Sequence, residues 1–130
     1  MKVIIAGSRN IDNINYLYKA IQESGFEITE VVTGDCRGVD KLGIKYANVH
    51  KLKITGFPAD WDKHGKKAGP LRNTVMANYA DALIAIWNGT STGTIDMIRK
   101  ARQKGLEVYV YNVKGEEDDK KEKSDSRKKV

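Results

Sequence analysis

Five short runs rich in Val, Ile and Tyr alternate with four segments of helical spacing. That alternation restricts the fold more than any other feature of the chain. The runs cover residues 2–7 (KVIIAG), 28–34 (ITEVVTG), 52–58 (LKITGFP), 82–87 (ALIAIW) and 107–113 (EVYVYNV). Each has strand length and strand composition. Between them, residues 13–24 place Ile14, Leu17, Tyr18 and Ile21 on one helical face, with Gly25 as a stop. Residues 38–48 do the same with Val39, Leu42 and Tyr46, and residues 70–79 with Leu71, Val75 and Tyr79. Residues 94–104 carry Ile95, Ile98 and Ala101 and end before Gly105. Strict β-α alternation predicts an α/β fold in which helices cover both faces of a parallel sheet. Right-handed crossovers then favour a doubly wound, Rossmann-like sheet of five strands in the order 3-2-1-4-5. The flavodoxin-like order 2-1-3-4-5 is the alternative.

In sheets of this kind a ligand binds beyond the carboxyl ends of the strands, where the strand order reverses. The segments that follow the first four runs are GSRNID, GDCRGVD, PADWDKHGKKAGPLRN and NGTSTGTID. They are rich in Gly, Ser, Thr, Arg and Asp. The connections at the opposite end, such as ESGFE and QKGLE, read as ordinary turns. The asymmetry predicts a site at one end of the sheet.

Its most informative segment is NGTSTGT, residues 88–94. Gly89 and Gly93 permit close approach of backbone to a ligand. Thr90, Ser91, Thr92 and Thr94 add hydroxyls, and the helix that begins near Thr94 offers unpaired N–H groups to an anion. Helix capping is the competing reading, since Ser and Thr are common caps. Across the expected switch point, Gly7, Ser8 and Arg9 add a close approach, a donor and a charge. Asp12 reads as a cap of the first helix. Gly34 and Gly38 bracket Arg37, an anion clamp. Asp40 either pairs with Arg37 or takes ribose hydroxyls. Trp61 offers a stacking surface, or else covers the sheet edge. Lys63, Lys66 and Lys67 raise the local potential, and His64 reads as a surface histidine. Arg72, with Asn73 beside it, sits in the first turn of a helix and suits phosphate. The long connection before it reads as a functional loop.

Other classes are excluded. There is no G-x-G-x-x-G, Walker A or G-x-S-x-G motif. One cysteine and two histidines do not approach a zinc pattern, so neither a metal nor a cofactor is expected. The longest apolar runs fall far short of a membrane span. A lone cysteine and the lack of a signal-like segment point to a cytoplasmic setting. The net charge is +6. Residues 114–130 hold seven Lys and Arg against six Asp and Glu, which leaves +5 on residues 1–113. Those first 113 residues are expected to form one domain. The charged remainder, with only a final Val as an aliphatic residue, is expected to be disordered. The positive balance suits anionic partners.

Together IIAGSRNID, VVTGDCRGVDKLG and KKAGPLRNTVMANYADALIAIWNGTSTGT resemble the YspA-related branch of the SLOG superfamily. That superfamily includes the Lonely-Guy proteins and the Rossmann domain of DNA-processing protein A. The resemblance spans residues 3 to 111. It implies a nucleotide or nucleotide-derived phosphorylated ligand, such as a signalling nucleotide or an ADP-ribose-like molecule. It also implies occurrence in bacteria and phages, where sequestration of a host signal is one role, and a homo-oligomer paired through helices. Hydrolytic members of the superfamily cleave the N-glycosidic bond of nucleoside monophosphates with a P-G-G-x-G-T-x-x-E loop and an upstream Arg. Gly93, Thr94 and Arg72 match that pattern. The P-G-G is absent, Met97 replaces the Glu, and Asp96 stands one position earlier, about 100° away around a helix. Catalysis by Arg72 and Asp96 is therefore the alternative to binding alone. Single-stranded nucleic-acid binding ranks below both, since Trp61 and Trp87 are the only tryptophans for base stacking.

Overall fold

The computed structural model describes residues 1–113. The expectation of disorder for residues 114–130 lies outside them. The sheet has five parallel strands in the order β3-β2-β1-β4-β5. They are β1 (Lys2–Gly7), β2 (Glu30–Thr33), β3 (Lys53–Gly56), β4 (Ala82–Trp87) and β5 (Glu107–Asn112). The helices are α1 (Ile14–Ser24), α2 (Val39–Val49), α3 (Trp61–His64), α4 (Ala68–Tyr79) and α5 (Thr92–Gln103), with a 3-10 turn at Gly65–Lys67.

Successive side chains of a strand point to opposite faces, so each central strand supplies two cores. Val3 and Ile5 of β1 join Ala82, Ile84 and Ile86 of β4 beneath α1 and α2. Ile4 and Ala6 join Leu83 and Ala85 beneath α4 and α5, against Met76, Met97 and Ile98. Val3, Ile4, Ile5, Leu83, Ile84 and Ile86 are fully buried. Each such side chain contributes about 1.5–3 kcal/mol through removal from water. This is why the β1–β4 runs are continuously apolar, whereas the edge strand β3 is half polar.

Three local features differ from the sequence reading. Asn13, not Asp12, caps α1, its Oδ1 accepting from the Asn15 N–H at 3.0 Å. β2 and β3 are shorter than their apolar runs. The connection from β3 is helical rather than an open loop. Asp60 caps α3 through the Lys63 N–H, the 3-10 turn follows, and α4 begins at Ala68. Pro70 does not delay that start, because the first turn of a helix needs no N–H from it.

The chain runs from β1 to β2 and β3 on one side, then returns past β1 to β4 and β5. The loops after β1 and β4 therefore diverge at the strand-order reversal, and a crevice opens between them.

Candidate functional site

That crevice is a cavity of about 860 Å³. Of the residues singled out in the sequence, Gly7, Ser8, Arg9, Arg37, Asp40, Trp61, Arg72, Asn73, Ser91, Gly93, Thr94 and Asp96 line it. Gly34, Gly38 and Gly89 do not, and two of these have a clear backbone task. Gly38 has φ +78°, and a Cβ there would stand 2.5 Å from the carbonyl oxygens of Ser8 and Arg9. It lets the β2–α2 loop press against the β1–α1 loop, where Ser8 O accepts from the Val39 N–H. A Cβ on Gly34 would stand 2.2 Å from Arg72 Nη1, so only glycine leaves room for that guanidinium.

Ser8 is buried, at 1% exposure. Its Oγ accepts from the Asn88 N–H at 3.1 Å, and its own N–H donates to Ile86 O. Ser8 thus ties the β1 loop to the β4 loop across the switch point. Asn88, which the sequence reading passed over, organises the second loop. Its Oδ1 accepts from the N–H and hydroxyl of Thr90 and from the N–H of Ser91. An Asn followed by Gly after a strand is the signal that marks such a turn.

This wiring corrects the expected supply of donors. The hydroxyls of Thr90 and Thr94 are used inside the loop, Thr94 Oγ1 donating to Ser91 Oγ at 3.0 Å. Ser91, not Thr94, stands at the start of α5 and caps it through the Thr94 N–H. The N–H groups of Thr92 and Gly93 have no partner among the described residues. A Cβ on Gly93 would meet nothing within 4 Å, so the space over the helix start is open.

Arg72 comes from the first turn and a half of α4. Its Nη1 donates to Gly34 O at 2.7 Å and lies 3.7 Å from Cys36 Sγ, while Nε donates to Asn73 Oδ1 at 3.1 Å. Nη2 has no partner among the described residues. Arg72 forms no ion pair with Asp40 or Asp96, and Arg37 none with Asp40; Asp35 pairs instead with Lys41 at 2.7 Å. Asn73 is 5% exposed and joins the two helices. Its Nδ2 donates to Asp96 Oδ2 at 2.9 Å and to Gly93 O at 3.3 Å.

The two carboxylates differ in state. Burial pushes Asp40 up to about 6, against the pull of the Cys36 N–H and of the Arg72 and Arg9 charges. Burial also works to raise Asp96. There the bonds from Asn73, Lys100 and Arg99 prevail and hold the carboxyl below its usual value. Trp61 lines the cavity. Its ring lies over Gly69 at the start of α4, with the Arg9 guanidinium 5.9 Å from its centre. Lys66, Asn10 and Cys36 complete the rim. A lone Cys gives no sequence signal for such a place.

Residues 1–64 match the YspA, cpYpsA-related SLOG family. Over 125 residues the chain is 33% identical to the Gene 61 protein of Mycobacterium phage D29, covering 87% of this chain and 98% of that protein. The chain belongs to this SLOG family. The fold is similar to that of DNA processing protein A (DprA) from Streptococcus pneumoniae, with a TM-score of 0.68 and 19% identity. The match covers 84% of this chain and 49% of that one, so the SLOG chain spans about half the length of that structure. Among the described residues no helix is long and apolar enough to cross a membrane.

Proposed function

We propose that this SLOG protein binds a phosphorylated, nucleotide-derived ligand in the crevice at the carboxyl end of its sheet. One observation carries the reading. The unpaired N–H groups of Thr92 and Gly93, at the positive end of α5, share one cavity with the uncommitted Nη2 of Arg72. A helix start supplies directed N–H groups and a favourable dipole, and the guanidinium supplies a charge-assisted bond. Arg9, Arg37 and Lys66 on the rim favour an anion further. Trp61, half exposed at 47%, supplies a ring face for a base.

Binding alone is favoured over glycosidic hydrolysis. Asp96 already holds bonds from Asn73, Arg99 and Lys100, which suits a brace between helices better than a group free to stabilise a sugar cation. The test is titration calorimetry of the 130-residue chain with AMP, ADP, ATP, ADP-ribose and pyrophosphate, with chromatography of the mixtures. The expected result is saturable binding of at least one nucleotide without release of free base. No heat from any nucleotide would defeat the reading, and release of base would restore the hydrolase.

A further inference from the structure

We propose that Asp40 reads the sugar: its carboxylate accepts hydrogen bonds from the hydroxyls of a ribose, so the crevice takes ribonucleotides in preference to 2′-deoxynucleotides. This rests on the nucleotide reading above and gives it a substrate class.

Asp40 is the second residue of α2 and is 6% exposed. A carboxylate accepts and cannot donate, and it has roughly four acceptor positions. Only one hydrogen bond reaches it, from the Cys36 N–H to Oδ2 at 3.1 Å. It makes no ion pair among the described residues. Oδ1 therefore has no protein partner. No side-chain oxygen or nitrogen among the described residues is both sealed from solvent and unpartnered, so Oδ1 opens onto the cavity that Asp40 lines. A buried charge with so few bonds is costly to keep. The cost is offset when a ligand brings donors.

The layout decides which donors. Asp40 repels phosphate, whereas the start of α5 and the Arg72 guanidinium attract it. Trp61 and Arg9 stand at the rim. All of these line the same cavity as Asp40, and the part of a nucleotide that brings hydroxyl donors for an ionised carboxylate is its sugar. Arg72 and Arg9 lie close enough to favour the ionised form but do not occupy it.

The experiment compares three matched pairs by titration calorimetry at pH 7.5: AMP, ADP and ATP against their 2′-deoxy forms. A site built to hold a hydroxyl rejects the analogue that lacks it. The deoxy forms should bind roughly 10- to 100-fold more weakly, the range for a hydrogen bond to a charged group. Asp40→Asn should bring the ratio near one, because its remaining oxygen serves the Cys36 N–H and the charged acceptor is gone. Equal binding of each pair to the natural chain overturns the inference and leaves the nucleotide reading standing. An undiminished ribose preference in Asp40→Asn also overturns it. If no member of any pair binds, the nucleotide reading fails and this inference with it. The wild-type pairs need no variant, so a poorly folded Asp40→Asn does not blunt the test.

Discussion

Asn73 and Asp96 join α4 to α5 through a 2.9 Å hydrogen bond, and the same Asn73 holds Arg72 by its Nε. Its amide group therefore sets the position of the guanidinium relative to the helix start that faces it. Asn73→Ala should leave Arg72 Nε without its partner and remove one of the bonds to Asp96. With the residue almost wholly buried, a loss of about 2–3 kcal/mol is expected. Asn73→Asp should be worse at pH 7 than at pH 3, since it sets a second carboxylate against Asp96. Urea denaturation of both variants measures this. A loss under about 0.5 kcal/mol, the range of an ordinary surface change, would show that the bridge is idle.

Arg72→Ala should weaken ADP binding roughly 10- to 100-fold through the lost charge-assisted bond. It should also lower stability by about 1–2 kcal/mol, because Gly34 O and Asn73 Oδ1 lose their donor. Arg72→Lys should recover only part of either, for it cannot serve Gly34, Asn73 and a phosphate together. Calorimetry beside thermal melts separates the two effects. An unchanged dissociation constant in Arg72→Ala would mean that Arg72 only supports the loop.

Asp40 gives a pH-dependent signature. Its carboxyl titrates near 6 in the folded chain, against 3.8 for the ordinary side chain. The folded state therefore holds the proton more tightly than the unfolded state. No penalty is present below pH 3.8; it grows as the pH rises through 4 to 6 and is complete above that. At about 1.36 kcal/mol per unit it amounts to about 3 kcal/mol. Asp40→Asn should thus melt higher than the natural chain at pH 8, and the gap should close by pH 4. A gap that stays constant across that range would show that Asp40 is ionised at no cost. Retention of a destabilising carboxylate fits a residue kept for its ligand.

Two glycine substitutions should act in opposite ways. Gly93→Ala lies in the first turn of α5 with open space around it, so it should raise stability by about 0.5–1 kcal/mol. Its methyl group would stand beside the free N–H groups, and pyrophosphate affinity should fall. Gly38→Ala forces a side chain at φ +78° onto two carbonyl oxygens and should cost about 2–4 kcal/mol. Melting curves with and without pyrophosphate test both. Equal melting losses for the two would contradict the assignment of Gly38 to packing and Gly93 to the ligand.

Strand order, the four longer helices and the end of the sheet that carries the crevice were legible in the sequence, whereas the short helix α3 and its 3-10 turn were not. Periodicity and the placement of Gly, Ser, Thr and Arg report directly on which side chains are buried and where the backbone must bend. NGTSTGT read as an anion site with helix capping as the competing use, and Ser91 does cap α5. The same information could not say which of its donors are free. Thr90 and Thr94 look as available as Thr92 in a linear sequence, yet Asn88 Oδ1 and Ser91 Oγ engage both.

The amino-acid sequence by itself determined the α/β alternation, the two-faced core and the collection of polar residues beyond one end of the strands. It could do so because those properties follow from local spacing and hydropathy. Tertiary structure alone decided the partners. Arg72 meets Gly34 across 38 positions, Asn88 meets Ser8 across 80, and Asn73 meets Asp96 across 23. It also decided that Asp40 keeps a bare oxygen toward the cavity while Asp96 has none to spare. A hydrogen bond forms wherever the fold brings a donor to an acceptor, and residue spacing along the chain carries no record of that meeting.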